Sequence, residues 1–218
     1  CAQQRPQRRI HLVMCGQYAN EAIRDAFAEA QRVLAPQVIH HPADGGNLQA
    51  WRAAWAAADI FTSLSDNVQE TFGLTPIEAM AAGLPCVVSD WDGYRDTVRD
   101  GLDGFRVPTV SPPAGSGVDL AERYDLGLDN YDFYCGQLCE LVAVDVDAAA
   151  QAFARLLGDA ELRQRMGAAG RERARRVYDW QVVIGQYQAL WARLDDERRH
   201  TPDLHGGLPM ATAPDRMD

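Results

Sequence analysis

Apolar runs and helical stripes alternate along the first half of the chain. Ile10 to Cys15 (I-H-L-V-M-C) is a short apolar run ended by Gly16, which predicts a buried strand. Ile23, Phe27, Ala30 and Leu34 then recur at helical spacing, with Asn20 as a cap before them and Pro36 as the stop. Val38-Ile39-His40 predicts a second strand. Leu48, Trp51, Trp55 and Ala58 form a second stripe behind a capping Asn47. Asp59 to Leu64 reads as a third strand and Ser65 to Gly73 as a polar loop. Thr75 to Ala82 is a short helix closed by Gly83. Pro85 to Ser89 and Gly104 to Val107 read as the fourth and fifth strands, with a short helical stretch opened by Gly93 between them. This alternation predicts an α/β fold, a Rossmann-like parallel sheet with helices on both faces. Ligands of such sheets bind beyond the carboxyl ends of the strands. The loop from Ser65 to Gly73 follows a strand and precedes a helix, so it belongs to that edge.

From Pro108 to about Val146 the rhythm breaks. A Pro- and Gly-rich loop is followed by D-L-A-E-R-Y-D-L-G-L-D-N-Y-D-F-Y, which mixes acids with aromatics. It reads as an ordered insertion covering a hydrophobic face, or as an acceptor or partner surface. Asp147 to Leu157, Ala160 to about Val177, and Asp179 to Leu194 read as helices, the last capped by Asp179. The middle one is Arg-rich and reads as a solvated face rather than a nucleic-acid patch. The expected organisation is a leader remnant (1–9), a Rossmann-like core (10–107), an insertion (108–146), C-terminal helices (147–194) and a disordered tail (195–218).

Composition narrows the chemistry. The net charge of −10 over 218 residues disfavours nucleic acid and anionic membrane as partners. All 21 basic residues are Arg. Within these residues, that excludes a phosphate-loop lysine and a Schiff-base lysine. The five cysteines, odd in number and without C-x-x-C, read as reduced thiols in a cytosolic protein. No H-E-x-x-H occurs, and no metal is expected. No apolar run reaches the ~20 residues of a membrane span. The missing initiator Met reads as a fragment or a processed chain.

The chemistry concentrates in Q-E-T-F-G-L-T-P-I-E-A-M-A-A-G, residues 69 to 83. Thr75, Pro76 and Glu78 match a capping box, with Thr75 as the cap. That explains Glu78 without any ligand but leaves Glu70 unexplained. A helix N-terminus also presents unpaired N–H groups, here around Phe72 to Thr75, and Gly73 leaves room for a ligand to approach the backbone. Such a place suits a phosphate. Two carboxylates beside it fit a ligand that carries hydroxyls on both sides of a diphosphate, namely a nucleoside diphosphate sugar. Each charge-assisted hydrogen bond from a diol is worth roughly 1.5–3 kcal/mol.

The core E-x-F-G-x-x-x-x-E-A-M-A-x-G-x-P, Glu70 to Pro85, lies within a run from Ser65 to Val107 that resembles the donor-binding half of retaining family 4 glycosyltransferases, which have the GT-B fold. The resemblance covers Ile10 to Val107, lapses across the insertion and resumes more loosely from Asp147 to Leu194. It implies that Glu70 contacts the donor sugar, that Glu78 binds the ribose diol, and that backbone amides of Phe72, Gly73, Leu74 and Thr75 hold the distal phosphate. It places Gly16 in the nucleotide pocket and the His40–His41 segment, after the second strand, near the base.

The implied reaction is retaining hexosyl transfer without a metal or other cofactor, from a UDP- or GDP-linked donor to a glycan or lipid-linked glycan. The expected setting is cytoplasmic, with a membrane-peripheral full-length enzyme also open. Two departures stand out. The family's Arg and Lys diphosphate clamp has no match in Arg5, Arg8 or Arg9, and Arg95-Asp96 replaces the family's Pro-Glu. The acceptor domain is expected upstream. Three alternatives remain: a nucleotide-sugar-binding fragment without turnover, a phosphorylase, which the absence of Lys opposes, and an epimerase.

Overall fold

A computed structural model describes residues 8–68 and 70–200. The expected leader and tail, residues 1–7 and 201–218, lie outside them. The chain divides into two units, Cys1–Arg176 and Val177–Asp218, each taken here by itself.

The first unit opens with strand β1 (Ile10–Gly16), helix α1 (Glu21–Leu34), β2 (Val38–Asp44) and α2 (Leu48–Ala57). The caps are those the sequence predicts. The Asn20 side chain accepts from the Ile23 amide, and Asn47 accepts from Gln49 and Ala50. There follow β3 (Phe61–Ser63), α3 (Leu74–Ala82), β4 (Cys86–Ser89), α4 (Tyr94–Thr97) and β5 (Gly104–Val107). Every ladder among these five strands is parallel. They form two sheets, β1–β2 and β3–β4–β5, where the pattern had predicted one. Periodicity reports that a segment is extended. Which edge it pairs with is decided by distant contacts. Helix α2 packs against both β1 and β2, and its Trp55 meets Phe61 of β3 with ring centroids 5.6 Å apart.

The core lies behind the second sheet. All four residues of β4 are buried. Val87, Phe105 and Val107 pack against Ala149, Ala152 and Leu156 of α7 (Val146–Gly158) and Met166 of α8 (Ala160–Arg173). The Arg-rich α8 is more than a solvated face. Arg171 donates to the Ala81 and Ala82 carbonyls at the end of α3, and Arg173 donates to the Asp96 and Thr97 carbonyls at the end of α4. Cations suit these carbonyl ends because the helix dipole is negative there. After Arg173 the helix continues as a π-helical turn, Ala174–Tyr178.

Between β5 and α7 the chain forms an antiparallel pair, β6 (Thr109–Val110) with β7 (Ala143–Val144), enclosing α5 (Val118–Asp125) and α6 (Tyr131–Glu140). Tyr124 stacks on Tyr134 at 5.2 Å. In the second unit, α9 (Trp180–His200) continues past Leu194, where the periodic reading had ended it. Its Gln181 amide donates to Asp179, the expected cap. Among the described residues no helix is long and apolar enough to cross a membrane.

Candidate functional site

The parallel β3–β4–β5 sheet puts Ser63 and Ser89 at its carboxyl ends, and the loops beyond them meet there. Ser89 donates to the Ser65 carbonyl, and the Trp91 indole N–H donates to the Asn67 carbonyl. The loop before α3 is thereby tied to the loop before α4.

Helix α3 begins two residues earlier than the capping-box reading places it. Its cap is Gly73, at φ 73° and ψ 93°, and no side chain caps it. Thr75 is therefore inside the first turn, and the expected Thr75–Glu78 capping box does not form. The left-handed φ of Gly73 draws the cap forward, because only glycine adopts it without strain. The first N–H groups of any helix lack intrahelical partners, and Pro76 contributes none. The positive end of α3 is thus backbone, with Phe72 and Leu74 exposed on either side of Gly73.

Two close approaches hold this cradle in place. A Cβ on Gly73 would stand 2.1 Å from Cε1 and 2.7 Å from Cδ1 of Tyr94, and 3.3 Å from Glu70 Oε1. A Cβ on Gly93 would stand 2.3 Å from Phe72 Cα. Tyr94 is buried, 1% exposed, with its ring under Gly73. Its hydroxyl lies 2.8 Å from Ser63 Oγ and 3.3 Å from Glu70 Oε2. Burial pushes the phenol's pKa up, a hydrogen bond from Ser63 pulls it down, and the Glu70 charge raises it again; the net direction is up. The phenol is therefore protonated at neutral pH.

Glu78 sits in the second turn of α3, exposed, on the surface that Leu74 also occupies one turn earlier. Helical side chains lean toward the N-terminus, so its carboxylate leans toward the cradle. Partial burial raises its pKa. Behind the cradle, Asp90 Oδ1 lies 3.5 Å from Nε of both Arg95 and Arg106, too long for hydrogen bonds, and Arg95 also donates to the Asp90 carbonyl. This basic pair is engaged with Asp90 at the end of β4.

The structure brings Glu70, Gly73 and Tyr94 into contact and sets Leu74, Thr75 and Glu78 on the same helix end. Gly16 lies elsewhere. It lines a cleft of about 510 Å³ at the carboxyl ends of β1 and β2, together with Gln17, Arg24, Ala43 and Asp44, and none of the cradle residues lines it. The histidines need correction. Strand β2 runs to Asp44, so His40 and His41 are strand residues, not a loop after the strand. His41 Nε2 is 2.8 Å from His11 Nδ1 on the neighbouring strand. Ser63 and Tyr94 escaped the sequence reading. The one available signal was that a tyrosine inside an otherwise buried turn needs a partner for its hydroxyl.

Comparison with known proteins agrees with this geometry. The "Glycosyl transferases group 1" family matches residues 1–117. A phosphatidyl-myo-inositol mannosyltransferase of Mycobacterium leprae is 36% identical over 140 residues, 64% of this chain and 28% of that protein. The chain thus spans under a third of that relative's length. Among solved structures, sucrose-phosphate synthase from Thermosynechococcus elongatus superposes with a TM-score of 0.54 at 23% identity, covering 86% of this chain and 38% of that one. Anabaena Alr3699/HepE, solved with UDP and glucose, gives 0.54 at 16% identity, covering 88% and 42%. These likenesses establish the fold as that of a GT-B C-terminal domain, and the family match over more than half its length places this chain among the group 1 glycosyl transferases.

Proposed function

We propose that this chain is the donor half of a retaining hexosyltransferase, working with an acceptor domain outside these 218 residues. In this reading a nucleoside diphosphate sugar lies with its distal phosphate on the α3 N-terminus, held by backbone amides of Phe72, Gly73, Leu74 and Thr75. Glu70 accepts from hydroxyls of the transferred sugar, Glu78 accepts from the ribose diol, and Gly16 borders the nucleotide. The observation that carries the reading is the glycine cap. Gly73 caps α3 without a side-chain hydrogen bond, which leaves the backbone end that suits an anion, and Glu70 Oε1 lies 3.3 Å from where a Cβ on Gly73 would stand. A carboxylate beside an anion site is repulsive unless it faces the uncharged part of the ligand, which is what a sugar supplies.

The chain's contribution to transfer is electrostatic. The α3 amides stabilise charge gathering on the departing diphosphate, and the oriented Glu70 carboxylate holds the sugar against the acceptor. Pyridoxal chemistry of the phosphorylase type finds no lysine in this chain. The residues here bind donor without transferring it, so mixing the isolated chain with donor and acceptors leaves the donor intact.

Thermal unfolding with UDP-glucose and with GDP-mannose tests the donor site. The mannosyl relative makes GDP-mannose the first choice. Ligand at a hundred times its dissociation constant adds about 2.7 kcal/mol, a rise of several degrees for a domain of this size. The rise shrinks in Glu70→Ala. A chain that no nucleotide sugar stabilises has no such site.

A further inference from the structure

We infer that Tyr94 is the positioning residue for Glu70: its hydroxyl, held by Ser63, donates to the Glu70 carboxylate and sets the direction in which that carboxylate meets the donor sugar. The inference rests on the donor-site reading above.

The direction of the hydrogen bonds follows from the groups themselves. An ionised carboxylate only accepts, so the 3.3 Å contact requires Tyr94 to donate its one proton to Glu70 Oε2. The 2.8 Å contact with Ser63 must then run the other way, from the serine hydroxyl to the phenol oxygen. One phenol oxygen therefore ties β3 to the loop carrying Glu70.

Ser63 and the Tyr94 ring are both held by packing. Ser63 is a strand residue paired in register with Val88. The Tyr94 ring is buried, 1% exposed, and occupies the space that a Cβ on Gly73 would need. One carboxylate oxygen, Oε2, is engaged by the phenol, while Oε1 lies 3.3 Å from where a Cβ on Gly73 would stand. Oε1 is the oxygen the phenol leaves for a donor sugar in the proposed site. Packing and hydrogen bonding are also separable here. Phenylalanine at position 94 keeps the ring under Gly73 and removes only the hydroxyl.

The test compares dissociation constants for UDP-glucose against UDP, and for GDP-mannose against GDP, in the wild-type chain, Tyr94→Phe and Glu70→Ala. The wild type binds one sugar nucleotide more tightly than its bare diphosphate, and Glu70→Ala erases that preference. Tyr94→Phe reduces the preference about ten- to a hundredfold, the worth of one hydrogen bond to a charged group, and leaves the bare diphosphate within about twofold.

An unchanged preference in Tyr94→Phe overturns the inference while the donor-site reading stands. Equal weakening of sugar nucleotide and bare diphosphate also overturns it, since a purely structural hydroxyl would loosen the whole cradle. A preference that survives Glu70→Ala, or no binding of either pair, overturns the donor-site reading itself. Should Tyr94→Phe fail to fold, Ser63→Ala replaces it. Freeing the phenol from its donor is expected to weaken the preference about twofold, and no change there overturns the inference.

Discussion

The two halves of the parallel strands carry equally regular sequence patterns and end up in different environments. In β3–α3–β4–α4–β5, Met80, Val87, Val88, Tyr94 and Val98 are all within 1% of complete burial. In β1–α1–β2 the predicted stripe forms, yet none of the α1 residues is buried, and Ile23, Phe27 and Leu34 remain exposed. An amphipathic stripe specifies a face; it does not supply the cover. The half that has its cover, from α7 and α8, is the half that carries the locked cradle. The half without it carries the open cleft at Gly16. The covered side is the one where packing leaves each group little freedom.

Glycine substitution should separate the halves most sharply. Gly73→Ala forces a side chain into the Tyr94 ring at a left-handed φ. The expected loss is about 4 kcal/mol, from strain and overpacking together. Gly16→Ala meets nothing within 4 Å and should change stability by less than about 0.5 kcal/mol. Denaturant titration of both variants measures the contrast; similar losses would mean the cradle is no tighter than the cleft.

Core truncation comes next. Leu156→Ala, at a fully buried position against the second sheet, should cost about 3 kcal/mol. Phe27→Ala on α1, already 47% exposed, should cost about 1 kcal/mol or less. Equal effects would show that the stripe of α1 is covered in solution.

The smallest effects are electrostatic and opposite in sign. Burial raises the pKa of Glu78 above its ordinary 4.5, so the folded state holds that proton more tightly than the unfolded one. Below the ordinary value both states are protonated and nothing is lost. As pH rises from there through the raised folded value, the ionised group sits partly desolvated and stability falls. Glu78→Gln should therefore melt slightly higher than wild type at pH 7 and equally near the acid limit, while binding donor more weakly.

Glu29 on α1 behaves the other way. The Arg32 guanidinium lowers its pKa, so its contribution is present above the ordinary carboxylate value and fades as pH falls through the folded one. Glu29→Gln should melt slightly lower than wild type at pH 7. Melting temperatures across pH 3 to 8 check both slopes, and matching slopes would remove the distinction.

Much of this was legible in the residues alone. Asn20, Asn47 and Gly83 mark helix ends because a cap is a contact between near neighbours, and Gly83 is indeed left-handed at φ 83°. The Glu70-to-Pro85 run names the family because its glycines and acids recur at set spacing. The capping box misled for a local reason. Thr75-x-x-Glu78 satisfies the pattern, but the glycine two residues earlier allows the helix to begin sooner. Arg171 and Arg173 were read as solvated because their acceptors lie on α3 and α4, far away along the chain.

Sequence by itself determined the alternation of strands and helices, their caps, the glycine–acid motif and the absence of lysine chemistry. These depend on residue type and on neighbours within a few positions. Tertiary structure alone decided that β1–β2 and β3–β4–β5 pair separately, that α1 goes uncovered, and that Tyr94 of α4 meets both Glu70 and Gly73. Each of those is a contact between segments distant in sequence, and its free energy exists only once the chain has brought them together.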